Sequence, residues 1–104
     1  MMVSELVGVA SVDVRRTVGE LGAGEIDPGA AVDAVVRRLR RLGEDLAYAA
    51  GSPGQARAVF EAADRERAAG ATADALPRLE ELAARMTRWT GLLSNGERDT
   101  QLWS

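Results

Sequence analysis

The 104-residue chain sets 13 basic residues, every one an arginine, against 16 acids, and has no lysine, histidine or cysteine, for a net charge of −3. These absences exclude imidazole general bases, thiolate nucleophiles, Schiff-base amines, internal disulfides and Cys/His zinc sites, and the negative balance disfavours wholesale binding to nucleic acid or anionic membrane. With 46% hydrophobic and 28% charged residues the sequence fits one globular domain, over 1–96, with a short tail at 97–104.

In chain order, Val3, Val7, Ala10, Val14, Thr17 and Leu21 recur at helical spacing and predict a first helix over 3–21. Val7/Val9 and Val12/Val14 also alternate as a strand would. A lone strand here could pair only with a second copy of itself, and the rest of the chain reads as helical, so helix is the expectation. Gly8 and Gly19 each weaken that helix by about 1 kcal/mol relative to Ala. Residues 21–29 read as a glycine-containing loop.

Asp27-Pro28-Gly29 opens the second helix, over 28–50, with Asp27 as N-cap and Pro28 at the first position, where its missing N–H costs nothing. Val32, Val35, Leu39, Leu42, Leu46 and Ala49 form its apolar stripe. Asp33/Arg37, Arg40/Glu44 and Arg41/Asp45 stand four apart and predict ion pairs on its outer side. Gly51 stops it.

Ser52 and Gln55 match a capping box, again with a proline, Pro53, at the first helical position; this predicts a third helix over 53–69. Ala56, Val59, Phe60 and Ala63 are its expected apolar face, Arg57, Glu61 and Arg65 an ion ladder, and Gly70 its end. The short link at Gly51 predicts an antiparallel hairpin of the second and third helices. A fourth helix is expected over 74–93, starting at Thr72 or Asp74, with the stripe Leu79, Leu82, Met86, Trp89 and Leu93. The expected fold is all-α: an antiparallel four-helix bundle with a short C-terminal tail.

Trp89-Thr90-Gly91 is similar to the W-x-G tripeptide of the WXG family of secretion substrates. In that family the motif lies in a turn between two long helices, near mid-chain. Here it ends the fourth predicted helix and no tyrosine follows it, so the reading is a core tryptophan ahead of a helix-weakening glycine.

Two sets of residues stand out as candidate sites. Arg37, Arg38, Arg40 and Arg41 concentrate positive charge and could bind phosphate or a carboxylate, with Arg15 and Arg16 facing them across a bundle. Their spacing to Asp33, Glu44 and Asp45 equally suits a solvated, neutralised face. The apolar pair Leu102-Trp103 at the end of a polar stretch reads as a back-packed or partner-binding hook. The acid pairs Glu44-Asp45 and Glu80-Glu81 diverge by about 100° on a helix, so neither converges on one proton or metal.

No catalytic residue, metal or cofactor is expected. The N-terminus lacks a basic run and no apolar stretch reaches membrane-spanning length, so a cytoplasmic location is expected. An alanine-rich core buries little area per residue, which favours extra burial at a homo-oligomer or partner interface. The expected function is a non-catalytic helical protein–protein interaction module, an adaptor, accessory subunit or regulatory binder that self-associates as a homodimer; the alternative is a small anionic-ligand binder or small helical enzyme with an arginine-lined pocket.

Overall fold

The computed structural model describes residues 2–94. Four helices make up an all-α fold: α1 Val3–Gly22, α2 Pro28–Glu44, α3 Pro53–Ala69 and α4 Ala75–Ser94. They pack antiparallel, as the hydrophobic spacing predicts, and residues 3–21 are helical throughout. The most extensive contacts are α1 with α4 and α2 with α3; α1 against α2 joins the two pairs, and the backbones of α3 and α4 stay apart.

The core is the sum of the four stripes. Val7, Ala10 and Val14 of α1, Val35, Leu39 and Leu42 of α2, Val59 and Ala63 of α3, and Leu79, Met86 and Trp89 of α4 are at most 1% exposed. Alanines at the contact positions let helices approach closely, so Trp89 and the leucines supply most of the buried volume. No helix among the described residues is long and apolar enough to cross a membrane.

The punctuation works locally as expected at Asp27 and at Gly70, which ends α3, and differently at Ser52 and at Asp45. Asp27 caps α2: its carboxylate accepts the Ala30 N–H at 2.8 Å, ahead of Pro28. Ser52 makes no side-chain cap bond to the backbone of α3. Its hydroxyl donates instead to Gln55 Oε1 at 2.5 Å. Gln55 is buried, and a bare amide oxygen there would cost more than an uncapped N–H at the exposed start of a helix.

The second helix also departs from a uniform α-helix over 28–50. At Asp45 it widens into a π-helical turn, Asp45–Ala49, in which the Ala50 N–H bonds the Asp45 carbonyl at 3.0 Å and the Ser52 N–H the Leu46 carbonyl at 2.8 Å. The wide turn satisfies the last carbonyls while the chain reverses through Gly51, whose φ of 62° suits a residue without Cβ. Leu46 stays fully buried, but the extra residue per turn rotates Ala49 out of the stripe, and Tyr48 stands 86% exposed.

One close approach fixes the α2–α3 hairpin. A Cβ built on Gly43 would sit 2.8 Å from Cζ of Phe60, whose ring lies over the bare backbone. Gly43→Ala is therefore expected to destabilise by about 1 kcal/mol, because displacing the ring costs about 1–3 kcal/mol while helix propensity returns about 1 kcal/mol. In a Phe60→Ala background the same change should become stabilising. Urea unfolding of the four variants gives the sign directly; destabilisation by Gly43→Ala in both backgrounds would remove the ring as its cause.

Candidate functional site

The four arginines of α2 do not converge. Their positions sweep round the helix, and the fold sends them to different neighbours. Arg38 Nε donates to Asp13 Oδ2 of α1 at 2.7 Å, and Arg16 donates to the other oxygen of that carboxylate at 2.5 Å. Arg40 Nη2 donates to Asp64 Oδ1 of α3 at 2.9 Å. Arg37 and Arg41 remain on the exposed side.

The acids that partner Arg38 and Arg40 thus come from adjoining helices rather than from Asp33, Glu44 or Asp45 on α2 itself. A spacing of four makes such pairs available at the surface, where they are worth a few tenths of a kcal/mol. Asp13 meets the largely covered Arg38 guanidinium at a helix seam, where water competes less, whereas the Arg40–Asp64 pair stays open to water. Arg38 Nη1 and Arg40 Nε are buried without an acceptor. They flank α2 on opposite sides, toward α1 and α3, so they do not form one anion site. Of the two α1 arginines expected to face this set, Arg16 does so through Asp13, whereas Arg15 points into the seam with α4.

Among the described residues, two of the other grooves gather more than one arginine. Between α3 and α4, where the backbones stay apart, a groove of about 200 Å³ brings together Arg65, Arg78 and Arg85 with Glu66 and Glu81. The sequence gives no local sign of this grouping because its members come from two helices. Arg78 is its centre: Nε donates to Glu66 Oε1 at 2.7 Å, Nη1 to Asp74 Oδ1 at 3.0 Å and Thr72 Oγ1 at 3.2 Å, and Nη2 to the Gly70 carbonyl at 2.6 Å. Arg85 donates to Glu81 at 3.1 Å. The hydrogen bond from the Thr72 hydroxyl, with the Arg78 charge second among the favourable contacts, holds the Asp74 carboxyl below the usual carboxylate range. The Arg78 guanidinium is committed to the fold.

The second groove, about 540 Å³ and wide open, follows the α1–α4 seam above the Ser11–Thr87 hydroxyl pair at 3.1 Å, with an apolar floor and Arg15, Arg88 and Glu80 at its rim. Among the described residues no group of three or more acids gathers as a metal site would require.

The least compensated surface is the outer face of α1. Met2, Val9 and Val12 are 64%, 59% and 53% exposed, and Glu5, Arg16 and Gly19 share their stripe at spacings of three and four. The signal for it was present in the sequence: Val9 and Val12 are the valines that fall out of phase with the helical stripe and imitate a strand. Leu102 and Trp103 lie outside the described residues. The chain matches no protein-family model, and it shows no significant similarity to a curated protein or to a solved structure.

Proposed function

We propose that this chain is a non-catalytic helical interaction module that self-associates. The observation that carries this reading is the pair Val9 and Val12, each more than half exposed one turn apart on a helix whose other faces are already packed. Scattered apolar residues are normal on a surface, but two exposed neighbours on one helix stripe gain most from a second apolar surface. The chemistry of the sequence agrees, since carboxylates, arginines and hydroxyls are the side chains on offer for acid–base or nucleophilic work and the half-covered Arg38 and Arg78 are bound into helix seams.

The test is sedimentation equilibrium of the full chain over a concentration series. The expected result is a molar mass that rises from one chain toward two in the micromolar range, since one helix face is smaller than the roughly 800 Å² per partner of a standard interface. A single-chain mass at every concentration would remove self-association from the reading.

A further inference from the structure

The outer stripe of α1 is complementary to itself. Its helical members are Glu5, Val9, Val12, Arg16 and Gly19, and the exposed N-cap residue Met2, in extended conformation, stands just ahead of them. Laid antiparallel against a second copy about a twofold axis passing between Ala10 and Ser11, Val9 meets Val12 and Glu5 meets Arg16, and the Met2 end of each helix comes beside Gly19 of the other. Every apolar residue then faces an apolar or bare position and every charge faces its opposite. A parallel pairing would set Glu5 on Glu5 and Arg16 on Arg16. Gly19 is exposed with open space where a Cβ would stand, so it offers the flat surface a methionine from the other chain can lie on. Arg16 keeps donors to spare, since its bond to Asp13 uses Nη2 alone.

We infer that the chain forms an isologous dimer by antiparallel pairing of α1 through this stripe, with Val9 and Val12 at the centre and two symmetric Glu5–Arg16 ion pairs at the ends. The occupant is a second copy of the same chain, and the inference rests on the self-association proposed above. The spacings of three and four along the stripe suit the shallow crossing of coiled-coil-like pairs, and a twofold axis duplicates each contact. The two charge pairs set direction and register more than they add affinity.

The register makes a reversal test specific. Glu5→Arg alone, or Arg16→Glu alone, places like charges together twice per dimer and should weaken association about tenfold. The double variant restores opposite charges and should return it to near the native value. Both side chains are exposed, so all three variants should stay helical; Arg16→Glu also loses the bond to Asp13 and sets two acids three residues apart, so each variant's association is compared below its own measured melting transition. Because the chain has no cysteine, single Val9→Cys and Val12→Cys variants give a second readout: under mild oxidation an equimolar mixture should form the mixed disulfide faster than either variant forms its own. The inference is overturned if the reversals leave association unchanged, if the double variant is no better than the singles, or if the mixture crosslinks no faster. If the chain still dimerises in those cases, self-association stands and uses another face; if it never dimerises, both proposals fall.

Discussion

Replacing Trp89 by alanine is expected to cost about 3–5 kcal/mol of folding stability, a large part of the roughly 5–15 kcal/mol a domain of this kind possesses. Trp89 is the largest side chain the structure buries completely. It projects from α4 into a core where alanines occupy many contact positions, and alanine has no side-chain freedom with which to fill a cavity. The seam between α1 and α4 also resists collapse, because the two helices already approach closely along it: a Cβ on Gly8 would lie 3.3 Å from the Thr90 methyl. The lost transfer free energy and the surviving cavity therefore add. Trp89→Phe should recover a substantial part of the loss. Urea unfolding followed by far-ultraviolet circular dichroism measures both variants, and a loss under about 1 kcal/mol for the alanine variant would contradict the central place given to this side chain.

The helices were legible in the sequence because their determinants are local. Asp27-Pro28, Ser52-Pro53 and Gly70 mark boundaries through backbone rules that hold before any tertiary contact forms, and the three- and four-residue spacing of Val35, Leu39, Leu42 and Leu46 identifies the buried stripe without knowledge of what covers it. The π turn was not legible, since its cause is the reversal through Gly51 combined with the need to keep Leu46 in the core. The ion pairs were misread for the same reason. Sequence spacing finds partners on one helix, whereas Asp13 and Asp64 reach Arg38 and Arg40 from other helices. The outer face of α1 lies between these cases. Its valines were visible as an anomaly in the pattern, and only their exposure in the fold distinguishes an uncovered helix face from a strand.

Arg78→Ala is the second change expected to have a large effect, about 2–3 kcal/mol, and its action should be local before it is global. Arg78 and Glu66 have side chains only 19% and 12% exposed. Removing the guanidinium leaves the Glu66 carboxylate poorly hydrated without its counter-charge and takes a donor from the Gly70 carbonyl. The partial exposure keeps the figure below that of a fully buried pair. Arg78→Lys should recover less than half, because one ammonium cannot span Glu66, Asp74 and Gly70 in the directions a planar guanidinium does. The Asp74 bond matters less, as that carboxylate is 68% exposed. Its lowered pKa still fixes a sign: a carboxylate favoured in the folded state contributes stability above the ordinary carboxylate value and loses it as pH falls through its own lower value. The part of the Arg78→Ala deficit that comes from Asp74 should therefore vanish in strong acid. Since the α3 and α4 backbones do not touch, the Arg78 clamp ties the end of α3 to the linker and the start of α4, and amide exchange should quicken first over residues 70–78. Uniform acceleration across all four helices would instead make Arg78 a contributor to global stability alone.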